Sequence, residues 1–494
     1  MTDPIIIGGS DGQLVTQLGG MSNRHGLVAG ATGTGKTVTL QILAEGFSRL
    51  GVPVFAADIK GDLSGISQNG KPHKEIDRRL AAIPIEGYQQ RGYPTLFLDI
   101  YAENGHPVRT TISEMGPLIL SSLLELNDTQ TGVLYACFAI ADDEGLLLLD
   151  LKDLRSMLTW MSEHRADLQA TYGNIAPASI GAIQRRLLVL EEQGADRFFG
   201  EPALQITDLM QRDFGGNGVI SLLSAERLIR ESPRLYAAFL MWLLSELFEE
   251  LPECGDLPAP KLVLFFDEAH LLFKSMPKSL LEKIEQVVRL VRSKGVGVFF
   301  VTQSPLDLPE TVLGQLGMKV QHTLRAFTPA DQKSVRAVAK GFRSDGAFDV
   351  NEVITSMGVG EALVSTLDDN GAPTPVRRTL IRPPESQIGP VDADTRVALL
   401  GRSPLKGKYE QTMDRSSAYE LLAERAATAA ARQAEIAKLE AEEAAATKAA
   451  KAAQRSTGSR RQGVGEALLK SAARSVGSSL GRQLVRGLLG SLLK

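Results

Sequence analysis

The chain has 494 residues, 43% of them hydrophobic, with 54 Lys and Arg against 58 Asp and Glu and a formal net charge of −4. That length is too great for one ordinary domain, and that hydrophobic share is enough for a sizeable core. The charge balance excludes a chain that binds nucleic acid over its whole surface, so any such contact needs a local patch.

The only cysteines, Cys137 and Cys254, are not in a CxxC pair, which argues against a disulfide framework and a cysteine zinc site. Met1-Thr2-Asp3-Pro4 carries no basic n-region, and no stretch reaches about 18 uninterrupted apolar residues. Neither a signal peptide nor a transmembrane helix is expected, and the expected setting is cytoplasmic.

In chain order, residues 1–25 read as short strands and turns, punctuated by Gly8-Gly9, Gly12 and Gly19-Gly20. The apolar run Leu27-Val28-Ala29 leads into Gly30-Ala31-Thr32-Gly33-Thr34-Gly35-Lys36-Thr37, and a helix is predicted over 37–50. Residues 52–57 predict a buried strand ending at Asp58. Asp58-Ile59-Lys60-Gly61-Asp62 then lies at the carboxyl end of that strand, where open α/β sheets place ligands. Residues 95–99 and 108–112 predict a pair of strands. From 113 to about 217 the apolar residues recur with helical spacing, as in Ile180-Ile183-Leu187-Leu190, and predict a mostly helical insertion.

A strand is predicted at 218–223 and a long apolar helix at 233–251, with Trp242 in the core. The apolar run 261–266 ends in Asp267-Glu268-Ala269-His270. A helix at 277–294 precedes a strand at 296–301 that ends in Thr302-Gln303-Ser304-Pro305. Further strands are predicted at 318–324, 361–365 and 376–380. Near-continuous apolar strands alternating with helices imply an α/β fold with a parallel-rich sheet covered on both faces.

The chain thus divides into a first part of the core (1–112), the insertion (113–217), a second part of the core (218–385), an Ala/Glu-rich helix with a linker (386–463) and a tail (464–494). The tail is amphipathic, and from 455 onward eight Lys and Arg stand against one acid, Glu466, a net of 8 − 1 = +7.

Gly30 to Thr37 fits G-x-x-x-x-G-K-[ST], a phosphate-binding loop between strand and helix. Glycines let successive N–H groups aim at phosphate oxygens, and the helix N-terminus adds partial positive charge. Lys36 can reach the β- and γ-phosphates, and the Thr37 hydroxyl can bind Mg²⁺. The candidate nucleotide contacts are Gly30, Ala31, Thr32, Gly33, Thr34, Gly35, Lys36, Thr37 and Val38; the bland alternative is a chance glycine turn.

Asp267-Glu268 after an apolar strand is a Walker B pattern. Asp267 would join Thr37 in holding Mg²⁺, and Glu268 would polarise the attacking water; the alternative is a solvated acidic pair. Gln303 at the tip of another strand can contact both γ-phosphate and water, unless it is an ordinary turn residue before Pro305. Arginines supply charge against the transition-state oxygens, often from a neighbouring subunit. Arg292 ranks first for that role, Arg24 second and Arg325 third, and each can instead form a surface ion pair. His25 and His270, at strand boundaries, read as hydrogen-bonded structural residues.

Asn23-Arg24-His25-Gly26 running into the loop, Asp58 to Asp62, Asp267 to His270, Thr302 to Pro305 and Gly360-Glu361-Ala362-Leu363 together resemble the HerA–FtsK branch of P-loop ATPases. More narrowly, the chain resembles bacterial HerA-like proteins. The resemblance covers about residues 5–385. It implies a RecA-like core of the additional-strand, catalytic-glutamate type, ATP and Mg²⁺ as cofactors, and a homo-hexameric ring in which Arg24 and Arg292 act in trans. Few residues precede Gly30, so a counterpart of the N-terminal β-barrel of archaeal HerA is not expected.

Three functions follow as expectations. One is a ring motor that moves or remodels double-stranded DNA, since pore loops of six copies need only a few basic residues each. The second is a protein-translocating motor with the same ATP site. The third is a regulatory ATPase anchored to a partner protein or an anionic membrane by residues 464–494.

Overall fold

The computed structural model describes residues 3–255, 257–273 and 278–456. Among them the strands are β1 (Ile5–Ser10), β2 (Gln13–Gln17), β3 (Gly26–Ala29), β4 (Val54–Asp58), β5 (Thr95–Asp99), β6 (His106–Pro107), β7 (Ile220–Ser224), β8 (Leu262–Phe266), β9 (Val296–Thr302), β10 (Met318–His322), β11 (Glu361–Ser365) and β12 (Arg377–Ile381). They form one sheet in the order β2-β1-β12-β11-β10-β3-β9-β8-β4-β7-β5-β6. From β10 to β6 every pairing is parallel; β11, β12, β1 and β2 extend the sheet antiparallel.

The centre of the sheet explains the apolar runs. Successive side chains on a strand point to opposite faces. On β8, Leu262, Leu264 and Phe266 enter one core while Val263 and Phe265 enter the other. β4 and β9 alternate in the same way. One face is covered by the helix Lys36–Arg49, whose Leu40, Leu43 and Phe47 are buried. The other is covered by the helix Pro233–Glu250, where Trp242 is 1% exposed, and by the helices between β6 and β7. With both faces buried, no strand of the centre can show polar alternation.

The strand order also fixes the class. β9 lies between the strand that enters the glycine loop, β3, and the strand that ends in Asp267-Glu268, β8. This is the additional-strand arrangement of a RecA-like α/β core.

Most elements fall within two residues of their predicted bounds, but 108–112 is not a strand. The Thr111 side chain accepts from Glu114 N–H while the Glu114 side chain accepts from Thr111 N–H, so a helix starts at Ile112. Thr110 N–H donates to Phe198 O (2.9 Å) and Arg109 O accepts from Leu204 N–H (2.8 Å), so this stretch pairs elsewhere. β5 pairs instead with the two-residue β6. Reciprocal caps at Asn127/Gln130 and Asp150/Asp153 start two more helices of the 113–217 segment. The helices Lys74–Ala82, Pro329–Lys340 and Val350–Ser356 had no counterpart in the sequence reading.

The chain separates into two units, Met1–Leu422 and Ala423–Lys494. The described part of the second is the remainder of the helix Ala418–Ser456, and residues 423–452 are exposed throughout. The basic tail, 464–494, lies outside the described residues. Among the described residues no helix is long and apolar enough to cross a membrane.

His25 is a structural residue, as its position before β3 suggests. Its Nδ1 accepts from Val298 N–H (3.0 Å), so its Nε2 carries the proton and donates to Val288 O (2.7 Å). Burial pushes its pKa down to about 4. The unfolded chain therefore binds a proton at His25 that the folded chain refuses as pH falls from about 6.5 toward 4. Stability at this residue is full above that window and declines through it, by up to about 3 kcal/mol. His25→Gln is expected to lower the thermal midpoint at pH 7 but to flatten its fall between pH 7 and 4.5. Equal slopes for the two proteins would show that another group titrates.

Candidate active site

The loop after β3 is held by its contact with β10. Gly30 has φ +151°, and a Cβ built there would lie 2.5 Å from the His322 Cβ. Only glycine fits that approach. His322 is fixed in turn: its Nε2 lies 2.8 Å from the Thr39 hydroxyl and its Nδ1 3.0 Å from Glu361 O. Burial lowers its pKa to about 4, so it stands neutral beneath the loop.

Ala31 N–H donates to Thr323 O (2.9 Å), and Thr34 O accepts from Gly360 N–H (2.9 Å), so the loop is braced on both sides. Gly35 is the N-cap of the helix Lys36–Arg49, at φ +116°, and makes no side-chain cap. The first N–H groups of a helix have no intrahelical partner, so these remain for an anion. Lys36 Nζ donates to Gly30 O (2.6 Å) and Ala31 O (3.2 Å), placing the ammonium across the loop.

Asp267 and Glu268 follow β8. Burial raises the Asp267 pKa to about 6, while Lys60 and Lys36 favour its charged form. The Glu268 N–H donates to Asp267 Oδ1 (2.9 Å), and the Tyr236 hydroxyl donates to Asp267 O (2.9 Å), which pins the turn to the helix Pro233–Glu250. Glu268 takes φ +47°, a strained value for a residue with a Cβ. Its Oε2 is buried without a hydrogen bond, although His270 Nδ1 is 3.2 Å away. The contact is close, but its geometry leaves the carboxylate free to accept elsewhere.

β9 pairs with β3 so that Thr302 faces Ala29, and Gly30 N–H donates to Thr302 O (3.3 Å). Gln303, the next residue, is exposed at the level of the glycine loop. The structure therefore brings Lys36, Thr37, Asp267, Glu268 and Gln303 to the carboxyl edge of adjacent strands. Exposed Arg325, after β10, lies at that edge as well.

Lys60 was missed as a single residue. It is close enough to Asp267 and Lys36 to favour the carboxylate and disfavour the ammonium. The signal was its loop, Asp58 to Asp62, at the end of β4. Asp58 itself is structural: its carboxylate accepts from Leu63 N–H (3.1 Å), and burial lifts its pKa to about 6. His322 carried no sequence signal beyond lying on a strand.

Arg24 and Arg292 are not at this edge. Arg24 ends the turn before β3 and Arg292 follows the helix Lys278–Val291 before β9, so both lie where the strands begin. The four residues of β3 and seven of β9 separate the two edges by roughly 13 and 23 Å. The two arginines share a cavity of about 890 Å³ with Arg289, Lys319, Lys340 and Arg343, which Glu310 alone opposes with a carboxylate. The Nε of Arg24 is buried without a hydrogen-bond partner.

Gly30→Ala is expected to cost roughly 1–3 kcal/mol from the His322 contact and the backbone strain. Urea unfolding measures it, and an unchanged midpoint would mean that the loop is not seated on His322 as described.

Comparison with known proteins adds a lineage to this geometry. A probable helicase of Methanocaldococcus jannaschii is 31% identical over 142 residues, 27% of this chain; the match spans about a quarter (25%) of that relative's length. The conjugative coupling protein TrwB aligns at 15% identity over 74% of this chain and 87% of its own, with a TM-score of 0.48. VirB4 of Thermoanaerobacter pseudethanolicus aligns at 16% over 80% and 99%, also at 0.48. The family described as helicase HerA-like C-terminal matches residues 4–494, nearly the whole chain. The chain belongs to the HerA-like helicase C-terminal family.

Proposed function

We propose that this protein is an ATP-hydrolysing ring motor whose active sites are completed between subunits, and that it translocates or remodels double-stranded DNA. One observation carries the reading. The phosphate loop, the acidic pair and the glutamine share one edge of the sheet, while the two best-placed arginines share a cationic cavity at the other. A single copy cannot bring them together, but a head-to-tail ring stacks one edge on the other.

In this reading Gly30 to Val38 cradle the phosphates. The glycine cradle and the Asp267 carboxylate near Lys36 suit a magnesium nucleotide. Mg²⁺ held by Thr37 and Asp267 would offset charge on the β- and γ-phosphates. Lys36 holds the same oxygens. Glu268 orients the water and accepts its proton, and Gln303 fixes water and γ-phosphate relative to each other. Arg292 and Arg24 of a neighbour supply positive charge as the bond breaks. DNA as the cargo rests on the family's helicase character and six convergent copies. A hexamer in the cytoplasm is part of the same proposal.

ATP turnover measured with and without double-stranded DNA at low salt, on protein of known oligomeric mass, tests this. Wild type should hydrolyse ATP faster with DNA. Lys36→Ala should lose ATP binding, and Glu268→Gln should bind ATP without turning it over. Normal turnover in either variant would remove the site assignment. Turnover indifferent to DNA would leave an ATPase with another cargo, such as a protein.

Arg292→Ala should also fall by about 10³-fold or more alone. Mixing it with Glu268→Gln subunits should restore part of the activity, because some seams then pair a sound loop with a sound arginine. No recovery in mixed rings of normal mass would exclude the trans role.

A further inference from the structure

Hydrolysis turns on Glu268 in the reading above, and the backbone there is strained. At φ +47° Glu268 occupies the left-handed region, which costs free energy for any residue with a Cβ. Its Oε2 accepts no hydrogen bond, so the backbone has to set where the carboxylate points. A strained conformation persists only where its surroundings over-determine it. The hydrogen bonds on either side of Glu268 do so. On the far side, Ala269 N–H donates to Val301 O of β9 (3.0 Å), and Leu271 N–H donates to Glu268 O (2.9 Å). On the near side, the peptide that joins Asp267 to Glu268 is held at both of its polar atoms. Its N–H donates to Asp267 Oδ1 (2.9 Å), and its oxygen accepts from the Tyr236 hydroxyl (2.9 Å).

Tyr236 reaches this turn from the first turn of the helix Pro233–Glu250, where it is fully buried. Its N–H donates to Ser232 O (3.2 Å). Ser232 is buried as well, and its hydroxyl donates to Gln193 Oε1 (3.0 Å) in the 113–217 segment. The phenol is thus carried on an arm anchored away from the nucleotide edge. Burial and the nearby carboxylates of Asp267 and Glu268 push its pKa well above the ordinary tyrosine value, so it stays protonated and donates. A buried tyrosine hydroxyl usually finds some partner. What distinguishes this one is the atom it holds, the oxygen of the peptide between the two acids.

Without that bond the peptide has a downhill path. Half a turn about its own axis takes Glu268 to the negative φ that any residue adopts. The same rotation sets a carbonyl oxygen where the N–H stood, against Asp267 Oδ1, and the two oxygens repel. The carboxylates then lose their places. Lys36 is untouched, because its ammonium is bonded to Gly30 O and Ala31 O and not to this turn. We propose that Tyr236 is a positioning residue: its hydroxyl locks the Asp267–Glu268 peptide and so keeps Glu268 placed for the attacking water. The inference rests on the acidic-pair reading above and adds to it a residue that no sequence motif marks.

Tyr236→Phe removes one oxygen and leaves the ring in its packing. ATP turnover, MgATP affinity by calorimetry and the thermal midpoint are compared in wild type, Tyr236→Phe, Glu268→Gln and Phe239→Leu. The last alters the core of the same helix, where Phe239 packs on Phe55, Phe198 and Trp242. Turnover in Tyr236→Phe should fall about 10- to 100-fold, the scale of a small misplacement of a reacting group. Its MgATP affinity should stay near that of wild type, the mark of an interaction that serves the chemical step rather than binding. Phe239→Leu should lower the thermal midpoint and keep wild-type turnover. Normal turnover in Tyr236→Phe beside an inactive Glu268→Gln would overturn the positioning role alone. An equal fall of affinity and turnover in Tyr236→Phe, or the same loss of turnover in Phe239→Leu, would also overturn it, since the helix would then act only through stability. Normal turnover in Glu268→Gln would remove the acidic-pair reading, and the positioning role with it.

Discussion

Gly30 rests against His322 with no room for a side chain between them. The glycine loop takes its shape from this contact. The loop can turn sharply after β3 because β10 lies alongside in parallel register, and it stays turned because His322 is bonded on both nitrogens and buried neutral. A charged imidazole there would face Lys36 across a short distance and a low dielectric. The loop, the strand beneath it and the ammonium above it therefore form one electrostatic arrangement.

From that point the polarity of the parallel strands does the sorting. Anything that follows a strand arrives at the edge with the loop, and anything that precedes one arrives at the other. Lys36, Asp267, Glu268 and Gln303 all follow strands, whereas Arg24 and Arg292 precede them. Strand direction alone divides the loop, the acidic pair and the amide from Arg24 and Arg292. The strain at Glu268 belongs to the same division: its left-handed backbone turns the carboxylate out of the strand line at the edge where the loop lies.

Much of this could be read from the residues. The strand, turn and helix around Gly30 to Thr37 were legible because closely spaced glycines between an apolar run and a helical pattern mark a tight turn. β8 and β9 were legible because a strand buried on both faces must be apolar at every position. The segment 108–112 was misread because Val108 and Ile112 look like strand residues, while the decisive feature is a side-chain cap between Thr111 and Glu114. Lys60 and His322 were illegible as site residues. Their roles depend on which strands lie side by side, and a sequence shows strand order only through the fold.

The two outer strands limit how copies of this chain can meet. At one border β6 has two residues and ends at Pro107, which has no N–H to offer a further strand. At the other, β2 is five residues long and its pairing with β1 slips register between Ile6 and Gly8. Short, irregular or proline-ended borders resist edge-to-edge addition. Subunits of this fold are thereby steered away from continuing one another's sheet, a route that leads to open-ended aggregates. What remains available includes the stacking of one copy's loop-bearing strand ends on the opposite ends of the next, a geometry that permits closure.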